Sequence, residues 1–431
     1  MEWGQSAAGL AAFAGCAWAW GAAGGAQADR RVWRLAAGAL ALQVGLAALF
    51  VHAPGAAAVF ATLNGAVEAL QEATRAGTSL VFGYLGGGAL PFAPDGPGAP
   101  FVLAFQALPL VLVVSALGAL LFHWGVMQRI VGAFAWALRR SLGVRGPLGV
   151  GAAANIFVGM VEAPVLIRPY VARLSRSDLF ALMVCGMATI AGTVLALYAQ
   201  FLQGVVENPA GHLIAASVIS VPAALLVARL MIPPGADDPA VDAVARGQEG
   251  ATAPDAQISG RGGGSMKALT EGTLAGLELL LSIAAMLIVL VALVALVNMA
   301  LGLGPEVGGA PLTLERVFGW ILAPFTYLVG VPWAEAQTAG SLMGQKTVLN
   351  ELIAFSAMAG LPEGALSERS RLLMTYALCG FANPGSVGIM IGGLSAMAPD
   401  RAGEIAALAW PALVGGTLAT LMTAAAVGVV L

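Results

Sequence analysis

The stretch Asn155-Ile156-Phe157-Val158-Gly159-Met160-Val161-Glu162-Ala163-Pro164, closed by Arg168-Pro169-Tyr170, sets a single carboxylate inside a long apolar run. An ionisable side chain at bilayer depth is costly unless it faces a cavity or a partner, so Glu162 reads first as functional. Gly159 before it and Pro164 after it interrupt a helix. Backbone freed in this way is tolerated inside a membrane only where protein or a water-filled cavity satisfies it. The stretch therefore predicts a helix, a tip and a returning helix.

A second stretch has the same layout: Met343-Gly344-Gln345-Lys346-Thr347-Val348-Leu349-Asn350-Glu351-Leu352-Ile353-Ala354-Phe355. Again one acid, Glu351, stands among apolar and small residues. The sequel repeats too, since Cys185-Gly186-Met187-Ala188-Thr189 comes 23 residues after Glu162 and Cys379-Gly380-Phe381-Ala382-Asn383 comes 28 after Glu351. Between acid and cysteine, each copy has a Leu-Ser turn with an arginine nearby, Leu174-Ser175-Arg176 and Leu366-Ser367-Glu368-Arg369. The chain reads as internally duplicated. Interrupted hydrophobic segments at matching positions of two halves point to a transporter's binding site near the midplane.

Working outward, 59% of the 431 residues are hydrophobic and only 10% charged, with mean hydropathy +0.87, which excludes an ordinary soluble globule. A polytopic, all-α membrane protein is the expectation. The net charge of −3 shows no clustered basic face, so no nucleic-acid partner is expected. Cys16, Cys185 and Cys379 lie in apolar segments without metal-ligand spacing, and no resident cofactor is expected.

About 20 apolar residues cross the hydrocarbon core, and the chain offers eight such spans: 6–26, 35–52, 101–126, 177–202, 211–232, 268–303, 368–397 and 403–431. The first reads as a retained span rather than a signal peptide, because Glu2 stands where a basic residue would be expected. The fourth is interrupted around Thr189–Thr193, and the seventh at Asn383-Pro384-Gly385-Ser386. Residues 56–82 carry Asn64, Glu68, Gln71, Glu72 and Arg75 against an apolar stripe of Leu63, Val67 and Leu70, the pattern of an amphipathic helix at a surface or along a membrane face. A turn-rich piece, Pro94 to Gly98, follows. Arg129, Arg139, Arg140 and Arg145 mark an interfacial helix bearing Phe134 and Trp136, and a counterpart lies near 312–326. The two hairpins occupy about 147–172 and 327–360. A Gly/Pro/Asp/Ala-rich connector divides the halves.

These boundaries predict a scaffold of residues 1–126, a first repeat of 127–232, a cytoplasmic connector of 233–266, a further scaffold span in 267–306 and a second repeat of 307–431. Placing Arg30 to Arg34 in the cytoplasm gathers about fifteen of the 20 Lys and Arg on that side. Both termini are then outside the cytoplasm. The same alternation sends one hairpin in from the cytoplasm and the other from outside, so the repeats are inverted.

The pattern N-I-F-V-G-x-x-E-A-P-x-L-I-R-P-Y, with A-T-I-A-G-T-V-L, N-E-L-I-A-F and L-x-T-Y-A-L-C-G-F-A-N-x-x-S-x-G-I-x-I-G-G-L, resembles the concentrative nucleoside transporters over roughly residues 100–400. The resemblance implies a homotrimer in the inner cell membrane, each protomer carrying an inverted-repeat transport domain on a scaffold domain. It also implies inward movement of a nucleoside with a cation, usually sodium, by an elevator-like displacement. Glu162 matches the acid at the first tip, with Gly159, Met160, Val161 and Val194 around the nucleobase. Met160 and Val161 stand where the family usually has Gln and Thr. Asn350 and Glu351 match the ribose-binding region, and Phe381, Asn383 and Ser386 lie on the broken seventh span, where Pro384-Gly385 replaces an aromatic and small pair. Asn155, Val158, Thr189 and Ile190 align with sodium ligands.

Plainer readings stand beside these. Phe381 could be core packing, Asn383 a helix cap, Val194 lipid or core packing, and Lys346 either the partner of Glu351 or a hairpin anchor. A different solute or proton coupling is the alternative within the fold. An enzyme is not expected, because no nucleophile or metal constellation accompanies the two acids.

Overall fold

The computed structural model describes residues 2–25, 29–92, 101–235 and 264–431. The turn at 94–98 and residues 236–263 of the connector lie outside the described residues. Apart from one isolated bridge between Val307 and Ala310, those residues form helices and turns.

The first part of the chain holds α1 (Glu2–Ala23), α2 (Arg30–His52), α3 (Ala56–Phe82), α4 (Leu103–Gln106) and α5 (Leu110–His123). Next come α6 (Val126–Leu142), α7 (Gly146–Ala154), α8 (Glu162–Val165), α9 (Arg168–Val171), α10 (Arg176–Ala188), α11 (Gly192–Phe201) and α12 (Pro209–Met231). After α13 (Ser265–Leu301) the same order returns: α14 (Leu314–Val329), α15 (Trp333–Val348), α16 (Glu351–Ala359), α17 (Glu368–Leu378), α18 (Pro384–Met397) and α19 (Ala402–Val430).

Among the described residues, six stretches are long and apolar enough to cross a membrane: Arg30–His52, Leu103–His123, Arg176–Phe201, Pro209–Met231, Ser265–Leu301 and Pro399–Val430. They coincide with six of the eight expected spans. The two others are 6–26 and 368–397. Helix α1 has 22 residues and is built largely of Gly, Ala and Trp, with Gln5 and Ser6 in its first turns. It packs against α12, α14 and α19 through Leu10, Phe13 and Ala17, and Ser6 donates to the Val329 carbonyl at 2.8 Å. The segment 368–397 divides into α17 and α18. Their break lies at 379–383, ahead of the position expected, because Asn383 and Pro384 start α18 rather than interrupt a helix. Asn383 is its N-cap and Pro384 its first residue, where a missing N–H costs nothing.

Helices α10, α12 and α19 form the centre. Helices α10 and α12 are apolar on every side and almost wholly buried, and α19 is so over its second half, as expected of helices enclosed by others. Small residues let them approach closely: a Cβ built on Gly416 would lie 2.4 Å from that of Met187. Arg229 of α12 reaches the start of α10, donating to Ser177 Oγ at 2.5 Å and to Asp178. The duplicated Leu-Ser turns have a local cause. Ser175 accepts from the Asp178 N–H at 3.1 Å and Ser367 from the Ser370 N–H at 3.3 Å, so each serine caps the helix that runs to a break.

The amphipathic helices bury narrow stripes. In α6, Val131 and Leu138 are buried while Arg129, Arg139 and Arg140 are exposed. Helix α13 packs on α5 through Gly272 and Gly276 and leaves most of its apolar surface uncovered. In α3 the polar side chains line a cavity of about 1480 Å³ rather than a plain outer surface.

Candidate functional site

Both interrupted segments reach the same place. The chain between α10 and α11 is extended at Thr189, and the chain between α17 and α18 runs beside it, so that the Phe381 N–H donates to the Thr189 carbonyl at 3.3 Å. The loop after α7 joins them, because the Gly192 N–H donates to the Phe157 carbonyl at 2.9 Å. Two helix breaks and the first tip thus share backbone hydrogen bonds. Each supplies an acceptor or donor that its own helix has given up.

Glu351 opens α16 directly after the break at Leu349–Asn350. It is 5% exposed, and its two oxygens are held from two other helices. The Tyr198 hydroxyl of α11 donates to Oε1 at 2.5 Å, and Asn383 Nδ2 donates to Oε2 at 3.1 Å. Asn350 caps α16 by accepting from the Ile353 N–H at 3.0 Å, and Asn383 Oδ1 accepts from the Ser386 N–H at 2.9 Å. Asn383 is therefore both a helix cap and a partner of the acid. Lys346 resolves as an anchor: fully buried, its ammonium donates to the Ala377 carbonyl at 2.8 Å and to Thr420 Oγ1 at 3.0 Å, pinning α15 to α17 and α19. Phe381 is half-buried.

Tyr198 escaped the sequence reading, since one tyrosine in an apolar span looks like packing. The available signal was its register. It lies one helical turn beyond Val194, on the same face of α11, and its ring stands 5.2 Å from that of Phe355.

The first tip is arranged differently from the second. Glu162 is exposed, and no hydrogen bond or ion pair joins it to another described residue, so it is not a carboxylate buried against an arginine. Its side chain folds back on the tip, where a Cβ on Gly159 would meet Oε2 at 2.1 Å. A side chain at position 159 would push that carboxylate aside. Met160 and Val161 are seated in notches left by other glycines: a Cβ on Gly186 of α10 would lie 2.8 Å from the Met160 Cβ, and one on Gly393 of α18 would lie 2.7 Å from Val161 Cγ1. Val194 is buried on α11.

Of the expected cation ligands, Asn155 donates through Nδ2 to the Gly151 carbonyl at 3.0 Å while its Oδ1 is buried without a partner. Thr189 donates to the Cys185 carbonyl at 2.9 Å, which leaves the lone pairs of its hydroxyl oxygen available. An orphaned amide oxygen with carbonyls at two helix breaks suits a hard monovalent cation, which takes oxygen ligands. The residues present fit such an ion.

A family model described as the C-terminus of the Na+ dependent nucleoside transporters matches residues 212–428. A model of their N-terminus matches 8–85, and one described as nucleoside recognition matches 104–204. The chain belongs to the concentrative nucleoside transporter family. Among its relatives, a transporter of Haemophilus influenzae without an assigned substrate is 39% identical over 401 residues, covering 92% of this chain and 91% of its own. Human solute carrier family 28 member 3 is 35% identical over 415 residues, covering 93% of this chain and 56% of that longer protein. The solved structure of CNTnw in an inward-facing substrate-bound state is 34% identical with a TM-score of 0.86, covering 100% of this chain and 98% of that one. A variant of CNTnw in an outward-facing state gives 0.88 at the same identity and coverage. As a concentrative nucleoside transporter homologue, the chain is a helical membrane protein whose relatives are transporters rather than enzymes.

Proposed function

We propose that this protein imports nucleosides together with sodium, and that the solute's ribose sits on Glu351 and Asn383. One observation carries the reading: a buried carboxylate held by Tyr198 and Asn383 at the meeting point of two helix breaks. A carboxylate accepts from two vicinal hydroxyls at once, which suits a sugar diol. Phe381 packs against the solute's ring, Ser386 and Asn350 add polar contacts, and the base lies toward Gly159, Met160, Val161, Glu162 and Val194. Sodium is held by Asn155, Val158, Thr189 and Ile190, and when bound it supplies a positive charge that draws their oxygens together. Coupling is then reciprocal, with cation occupancy raising solute affinity and the reverse.

In this reading residues 127–232 and 307–431 are inverted repeats of a transport domain, each with an oppositely oriented re-entrant hairpin. They move elevator-like against a scaffold of 1–126 and 267–306, with eight spans and both termini outside the cytoplasm. The uncovered apolar flank of α13 supports assembly into a homotrimer within the bilayer. Met160 and Val161 remove a base-reading amide and hydroxyl, so base preference departs from that of relatives with Gln and Thr there.

The test is uptake of radiolabelled uridine into proteoliposomes under an imposed inward sodium gradient, competed by a panel of purine and pyrimidine nucleosides. Accumulation that collapses when the gradient is dissipated supports the reading. Uptake that follows a proton gradient and ignores sodium overturns the cation assignment; no nucleoside uptake under either gradient overturns the solute.

A further inference from the structure

The cavity under α3 lies outside the site just described. Its wall on one side is the polar face of α3, with Asn64, Glu68, Gln71, Glu72 and Arg75; on the other it is the end of α11 and the turn beyond, with Gln200, Gln203 and Glu207. At about 1480 Å³ it is several times larger than a single sugar-and-base solute needs, and it is bounded by segments far apart in sequence.

Helix α11 separates the two spaces. Residues two apart on a helix point to roughly opposite sides, so Val194 and Tyr198 face Glu351 while Ala196 and Gln200 face α3. The contacts agree. Tyr198 bonds to Glu351, whereas Gln71 Nε2 donates to the Ala196 carbonyl at 3.5 Å and Gln203 Nε2 donates to Gln71 Oε1 at 3.0 Å. A ten-residue helix thus carries the ribose acid's partner on one face and the cavity wall on the other. A second connection runs through His212, which lines the cavity and whose Nδ1 lies 2.9 Å from the buried Tyr376 hydroxyl of α17.

The wall is polar and only partly satisfied. Gln200 Oε1 is buried without a hydrogen-bond partner, and Glu72 and Glu207 make no hydrogen bond or ion pair with another described residue. Amides, carboxylates and the guanidinium groups of Arg75 and Arg369 lining a volume open on one side match a neutral solute that is rich in hydroxyl and amide groups. They do not suit a lipid tail.

We propose that this cavity is a second, weaker nucleoside-binding site, an antechamber set back to back with the Glu351 site across α11. The proposal rests on the nucleoside reading above. Hydroxyls of the solute bond to Glu72, Glu207 and Gln200, while Gln71 and Gln203 give up their mutual bond to meet the base. Because that pair braces α3 on the turn that follows α11, and Gln71 also bonds to the Ala196 carbonyl of α11, occupancy loosens the helix that carries Tyr198.

Calorimetric titration of the intact, detergent-solubilised protein with uridine tests it. Wild type gives two classes of site, and Glu351→Ala leaves only one, at least tenfold weaker than the site lost. Adding Gln203→Leu, or separately Glu72→Gln on the opposite wall, to Glu351→Ala removes that residual binding. A Glu351→Ala protein that binds no uridine, or whose residual binding survives both wall variants, overturns the antechamber. Absence of binding in the wild type would instead count against the nucleoside reading itself.

Discussion

Glu351 holds its place because two neighbours meet its charge from different directions, and each neighbour is separately removable. Tyr198→Phe deletes one hydroxyl and leaves Oε1 without its 2.5 Å donor. Leaving a buried acceptor unsatisfied costs about 1–3 kcal/mol, so uridine affinity should fall roughly ten- to a hundredfold with the fold intact. Affinity equal to wild type would show that Tyr198 only fills space. Thr189→Ala removes a hydroxyl oxygen from the proposed cation ligands, and the sodium concentration giving half-maximal uptake should rise. An unchanged sodium dependence would place the cation elsewhere. At this scale the sequence told much, because lone acids, an Asn-Pro start and small polar residues stand out against apolar neighbours. It hid Tyr198 and the anchoring role of Lys346. Whether a tyrosine or lysine in a span meets a partner depends on helix rotation, which the sequence leaves free.

Among the elements, the breaks matter more than the helices. Each break frees a carbonyl or N–H that another break uses, as Thr189 does for Phe381 and Phe157 for Gly192. The first tip is fixed by its seating against α10 and α18. Gly393→Ala places a methyl 2.7 Å from Val161 Cγ1, and overpacking of this kind costs about 1–3 kcal/mol. Uptake should drop in Gly393→Ala and recover in the pair Gly393→Ala with Val161→Ala. Failure of the second change to rescue the first would mean that the tip is not held there. Periodicity and the repeated Leu-Ser turns exposed the element order, and the capping serines explain why that dipeptide recurs. Six of the eight expected spans stand out by length and composition among the described residues; the other two are α1, built largely of Gly and Ala, and the α17–α18 segment, divided at the cap of α18.

Seen whole, the molecule is a closely packed centre of α10, α12 and α19 with α3 and α13 left toward the outside. Helix α13 exposes a face of Leu, Val and Met that one protomer does not cover. Solubilised protein should run with a protein mass near three times 43.3 kDa by light scattering; a monomer would contradict the trimer. The polar stripe of α3 was legible as amphipathic, yet its cavity was not, because the opposite wall comes from residues more than a hundred positions away. Everything functional depends on the solute resting where both breaks meet. The structure of the protein bound to 5-iodouridine, with the iodine located by anomalous scattering, tests this most directly. We expect the ribose hydroxyls on Glu351 and Asn383 and the iodine toward Met160 and Val194; a ribose bound at full occupancy away from Glu351 would contradict the account.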